Sequence, residues 1–171
     1  MNNKLACLIF VFLFLSGCSN TIESELEEEY DINDIVHVEK LNKNLAFALL
    51  EEETGWIGIN ILQRAKFKWK IVSHRGTIGA GETAMNIAGS IGPLDIPGKT
   101  LYYTGGIILN DDIAKITVFN EKTNEEIATN IITTDKGTRV FFMVTDGNVN
   151  WFTYSPTWNA YSSDGKLLSK Y

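Results

Sequence analysis

Cysteine is almost absent from this chain. Of 171 residues only Cys7 and Cys18 carry a thiol, and both lie near the start. From Ser19 onward a disulfide, a cysteine nucleophile and a thiolate metal site are all excluded. Histidine is nearly as scarce. His37 and His74 are the only two, and they do not form the close pairs that zinc sites use. A Gly-x-Ser-x-Gly nucleophile elbow is missing, and so is an Asp-x-Asp-x-Asp-Gly calcium loop. Basic residues are outnumbered, 15 against 21 acidic, for a net charge of −6. That balance disfavours nucleic acid, which rewards clustered Lys and Arg. A long apolar run is lacking too. Leu5 to Leu15 is uninterrupted hydrocarbon, but as a helix it would reach only about 16 Å, well short of the roughly 30 Å core of a bilayer.

What is there begins with that short run. Lys4 precedes it as the only charge before Glu23, and the small residues Ser16 and Gly17 follow it. A basic start, a short apolar segment and small residues read as an export signal. Leu15-Ser16-Gly17-Cys18 resembles the lipobox of bacterial lipoproteins. The resemblance covers about the first twenty residues. It implies a diacylglycerol thioether on the Cys18 sulfur and cleavage just before that residue. A single acyl chain anchors marginally and two anchor stably. The expectation is therefore a signal peptide over residues 1–17 and attachment to the extracytoplasmic face of the cell membrane through lipid on Cys18. Loss of 17 residues leaves 154, enough for one domain with a real core. It also removes Lys4, leaving 14 basic residues against 21 acidic. So acidic a body should be mildly repelled by anionic lipid.

Residues 19–33 carry six acids and no base. Like charges repel and little apolar surface is available to bury, so residues 18–33 read as a lipidated, solvated acidic tether, with a short fraying helix as the alternative. Fifteen flexible residues would span roughly 20 Å.

Residues 34–171 read as a single β-rich domain. Ile35 to Lys40 alternates with period two. Asn44 to Leu50 is apolar on both faces, which suggests a central strand. Trp56 to Gln63 and Phe67 to His74 suggest a hairpin, with Phe67, Trp69 and Ile71 on an apolar face and Lys66, Lys68 and Lys70 on a wet one. Residues 76–99 hold six glycines and two prolines and read as a long loop, the best place to look for a site. Further strands are expected at Thr100–Leu109, Ile113–Phe119, Glu125–Ile132, Thr138–Thr145, Trp151–Tyr154, Trp158–Tyr161 and Leu167–Lys170. Turn residues separate them, including Asp146-Gly147 and Asp164-Gly165. The expected fold is all-β: an antiparallel sandwich, Ig-like, or a partly closed barrel. In Gly105, Gly106, Asp111, Asp112, Ile113, Ile116, Val118, Tyr161, Asp164 and Gly165, residues 100–171 resemble small exported β-sandwich modules of Gram-positive bacteria. The likeness is one of layout and implies no functional residue.

Little chemistry can be read directly. Gly79-Ala80-Gly81-Glu82-Thr83-Ala84 fits a dinucleotide pattern, but Gly89, Gly92 and Pro93 come too soon for the helix that pattern needs. Glu51-Glu52-Glu53 and Asp111-Asp112 read as solvated turn acids rather than a calcium site. Trp69 reads as core. Trp151, Tyr154 and Trp158 surround a loop-like stretch and are the candidate binding surface. No catalytic residue, metal ligand or cofactor is assigned. The functional expectation is a non-enzymatic interaction or ligand-binding module whose partner is an envelope protein or wall polymer. The alternative is an envelope hydrolase acting on wall polymer or peptide, which needs His74 beside an acid or serine, or a cleft with two carboxylates.

Overall fold

The computed structural model describes residues 21–51, 55, 57–78, 86–145 and 157–171. Their alternating sequence forms three antiparallel four-stranded sheets. Sheet A is a meander of β1 (Ile35–Asn42), β2 (Leu45–Glu51), β3 (Ile57–Ala65) and β4 (Lys68–Ile78), in that spatial order. Sheet B has the order β5 (Ile87–Ile96), β6 (Lys99–Ile108), β10 (Arg139–Thr145), β9 (Asn130–Thr133). Sheet C has the order β12 (Leu167–Lys170), β11 (Thr157–Tyr161), β7 (Lys115–Asn120), β8 (Glu125–Ala128). The fold is thus an all-β sandwich, and no barrel closes among the described residues. It has three sheets, one more than an Ig-like pair.

Sheet B is the middle layer, and period two explains how it serves two cores. Leu94, Leu101, Tyr103, Val140 and Phe142 point to one side and meet Leu45, Phe47, Leu49, Ile59 and Ile61 of sheet A. Ile87, Ile108 and Phe141 point to the other and meet Ile113, Ile116 and Ala160 of the sheet C layer. At Gly106 the middle layer is very tight. A Cβ there would lie 2.1 Å from the Ala88 carbonyl oxygen and 2.6 Å from Cε1 of Phe141. The Phe141 ring occupies the space that side chains at Gly89 and Gly106 would need.

Strand β2 is buried along its whole length, as its two apolar faces require of a central strand. Its second face, with Ala46 and Ala48, joins Leu62 and Trp69 in a cluster closed by Ile22 and Leu26. Those two residues belong to helix α1 (Ile22–Glu27). Thr21 caps the helix: its hydroxyl accepts from the Ser24 amide at 3.1 Å, and Ser24 Oγ accepts from the Thr21 amide at 2.9 Å. Glu23 and Glu25 lie in the first turn, where the helix dipole favours negative charge. Of the expected acidic tether, residues 22–27 thus take the short-helix alternative and are docked through Ile22 and Leu26, while Glu27–Glu29 and Asp31–Asn33 are exposed. Six residues are too few for a free helix, and docking of Ile22 and Leu26 holds this one. A 3-10 turn (Ile32–Asp34) leads into β1.

Four further expectations change. Phe67 does not join Trp69 on the apolar face. It occupies the two-residue turn between β3 and β4 and is 85% exposed. Nor does sheet A have a wet face, since clusters cover both sides. Lys68 and Lys70 are exposed because they lie at the hairpin end, beyond that cover. The glycine-rich stretch is largely strand: residues 76–78 extend β4 and residues 87–96 form β5. Pro93 is tolerated because β5 is an edge strand. Finally, Glu125–Ile132 is two strands. Thr129 separates them, anchored by its amide and hydroxyl on the Ile116 carbonyl, each at 3.0 Å, and the chain crosses there from sheet C to sheet B. The Gly79–Ala84 motif and the Trp151–Tyr154 strand lie outside the described residues, as does the Asp146-Gly147 turn.

Candidate functional site

The densest polar cluster stands on the outer face of sheet C. Period two again builds it. In β7 and β11 the residues Ile116, Val118 and Ala160 are buried against sheet B, and the alternate positions Thr117, Asn159 and Tyr161 lie on the opposite face, where Thr117 and Asn159 are also buried and Tyr161 is half-buried. Hairpin β7–β8 aligns Glu126 with Phe119, and β11 aligns Asn159 with Thr117. The Glu126 carboxylate thus reaches three donors with one oxygen. Oε1 accepts from the Thr117 hydroxyl in a short bond, from Tyr161 Oη at 2.6 Å and from Asn159 Nδ2 at 3.1 Å. Two cations frame the patch. Lys115 Nζ lies 5.3 Å from the Tyr161 ring centre, and Lys170 Nζ lies 5.2 Å from that of Phe119 while bonding Glu121 at 2.8 Å.

These contacts move the two titratable groups apart. The Thr117 hydroxyl, then that of Tyr161, hold the Glu126 carboxyl below the ordinary carboxylate range. Donation to Glu126 pushes the Tyr161 phenol above its ordinary value. At neutral pH the first stays charged and the second stays protonated. General acid–base catalysis requires the opposite, a group titrating near the working pH.

The other candidates are dispersed. Trp158 faces inward: its ring meets Phe141 edge-on at 5.7 Å and its indole N–H donates to Thr104 Oγ1 at 2.8 Å. It serves the core between sheets B and C. Trp151 and Tyr154 lie outside the described residues, as do Cys18 and the segment 1–20. His37 packs beside Phe47 and Phe142, with Nε2 3.4 Å from Glu39 Oε2. His74 Nδ1 is 2.7 Å from Oδ1 of the fully buried Asn60.

Clefts lined by described residues include three. One of about 130 Å³ lies between Leu41, Leu45, Lys99 and Val144. One of about 500 Å³ lies between Asp111–Asp112 and the turn holding Asp164 and Lys166. One of about 380 Å³ lies between Gly55, Leu109 and Arg139. Neither histidine lines any of them. Asp164 is engaged by the Ser162 hydroxyl and the Lys166 amide, which lower its pKa. Among the described residues no three His, Cys, Asp or Glu side chains are placed to hold a metal ion. Nor is any helix there long and apolar enough to cross a membrane.

No family model, curated protein or solved structure matches the chain. Sequence reasoning overlooked Glu126, Thr117 and Asn159. The available signal was polar residues at alternate positions of strands whose other face is apolar.

Proposed function

We propose that this chain is a lipid-anchored, extracytoplasmic, non-enzymatic interaction module, held to the cell membrane through Cys18. The outer face of sheet C is the surface it offers to a polar partner, an envelope protein or a wall polymer. One observation carries the non-enzymatic part. In the best-organised polar cluster one Glu126 oxygen is already held by Thr117, Tyr161 and Asn159, an arrangement suited to fixed hydrogen bonding. The lipobox residues Leu15-Ser16-Gly17-Cys18 support the anchor.

The competing reading is a hydrolase of wall polymer or peptide. The cleft between Asp111–Asp112 and Asp164 does gather carboxylates, but Asp164 is held by the Ser162 hydroxyl and the Lys166 amide, and the pair of His37 and Glu39 lies outside it. The test is in-cell cross-linking and capture with the parent chain, Cys18→Ala and Glu126→Gln/Tyr161→Phe. One dominant partner, reduced by both changes, supports the proposal. Equal capture by the double variant removes the sheet C face from it. Identical membrane fractionation of parent and Cys18→Ala removes the anchor.

A further inference from the structure

The net acidity of the chain conceals a basic end. Residues 40–50 and 57–81 contain no Asp or Glu. Lys40 and Lys43 flank the β1–β2 turn, and Arg64, Lys66, Lys68 and Lys70 surround the β3–β4 turn. The register joins the two turns. Asn42 is opposite Leu45, Leu45 opposite Gln63 and Gln63 opposite Lys70, and the Arg64 amide bonds the Asn44 carbonyl at 2.9 Å. Six cations therefore share one end of sheet A, while the rest of the chain holds nine basic residues against 21 acidic. None of the six is ion-paired among the described residues.

Phe67 projects from the middle of this end at 85% exposure. It follows Lys66, which sits at φ 59°, a conformation unfavourable for a lysine. An aromatic ring ringed by lysines is the composition of an interfacial anchor: the ring enters the headgroup region and the ammonium groups stay at the phosphates.

The position of the chain's entry makes this consequential. Helix α1 docks on Leu62 and Trp69, the strands that turn at Lys66–Phe67. Only Ser19 and Asn20 separate Thr21 from Cys18, so the two Cα atoms are at most about 11 Å apart. Within the expected tether, the docking of Ile22 and Leu26 fixes the chain from Thr21 onward to sheet A. A lipid on Cys18 brings the domain onto the headgroups rather than above them.

We infer that the β3–β4 hairpin tip, with Phe67 inserted and Lys40, Lys43, Arg64, Lys66, Lys68 and Lys70 around it, docks on the anionic surface of the membrane that carries the anchor. This rests on the lipid-anchor reading and sets the β3–β4 end of sheet A against the bilayer.

The test uses the full chain carrying Phe67→Cys or, as a control at the far end, Lys166→Cys. Each is labelled with an environment-sensitive fluorophore and reconstituted in vesicles of phosphatidylcholine, with or without phosphatidylglycerol. The mass of the Cys18 peptide is read in parallel. The expected result is lipid on Cys18, a blue shift and quenching by nitroxide-labelled lipid at position 67 in anionic vesicles, and neither change at position 166. Adding Lys66→Glu and Lys68→Glu should abolish the shift at position 67. Lipid on Cys18 with an aqueous label at position 67 would overturn the docking alone. A response to soluble polyphosphate but not to vesicles would overturn it in favour of a polyanionic polymer. An unmodified Cys18 would overturn both the docking and the anchor.

Discussion

Truncating Leu26 to alanine tests whether residues 21–34 belong to the folded domain. Leu26 is 0% exposed and packs with Ala46, Ala48, Leu62 and Trp69. Three carbons are lost, about 2.4 kcal/mol at ~0.8 kcal/mol each. In a rigid core a cavity would raise Leu→Ala to roughly 2–5 kcal/mol. Here the cover is one short helix on a sheet, which can settle toward the gap, so about 2–3 kcal/mol is expected. The loss should be local. The helix has six residues, far below the ~12–15 that sustain one alone, so it has nothing to fall back on once Leu26 is gone. Hydrogen exchange read by peptide mass spectrometry is the assay. Protection of residues 22–30 should fall roughly 30-fold or more. The β6 and β10 amides, between two sheets, should hardly change. If the parent chain already shows no protection over residues 22–30, or Leu26→Ala leaves it unchanged, the docked helix is wrong and so is the short leash to Cys18.

Gly106→Ala should destabilise by about 1–3 kcal/mol or more in urea unfolding, because its Cβ would meet backbone at 2.1 and 2.7 Å; a loss within ~0.5 kcal/mol would mean that β5 and β6 are not so close. Thr104→Val keeps the shape but removes the acceptor for the Trp158 indole, and should cost about 1 kcal/mol, the low end for an orphaned donor, since Trp158 is only half-buried. The Glu126 contribution is present above its ordinary value of 4.5 and is lost as pH falls through its lowered folded value. That of Tyr161 is present below 10.0 and is lost as pH rises through its raised folded value. Glu126→Gln should therefore flatten the melting temperature against pH on the acid side, and Tyr161→Phe on the alkaline side; parallel curves for parent and variants would remove the coupling.

The chain's own pattern determined much of this protein. Period-two alternation is a local property, so it announced most strands, the central position of β2 and the inward Trp69. The spacing of Lys4, Leu5–Leu15 and Cys18 set the expectation of an anchor without reference to any fold. Other features depended on distant partners. The six acids of residues 19–33 suggest solvation until Ile22 and Leu26 find the outer face of sheet A, and burial then outweighs repulsion. Gly89, Gly92 and Pro93 suggest a loop until β6 supplies the ladder and Phe141 takes the space that Gly89 leaves. Thr129 looks like one more strand residue until the Ile116 carbonyl holds it at a crossing between sheets. The Glu126 cluster draws on three strands, and the basic end on two hairpins. Neither exists until register brings together residues that the sequence keeps apart.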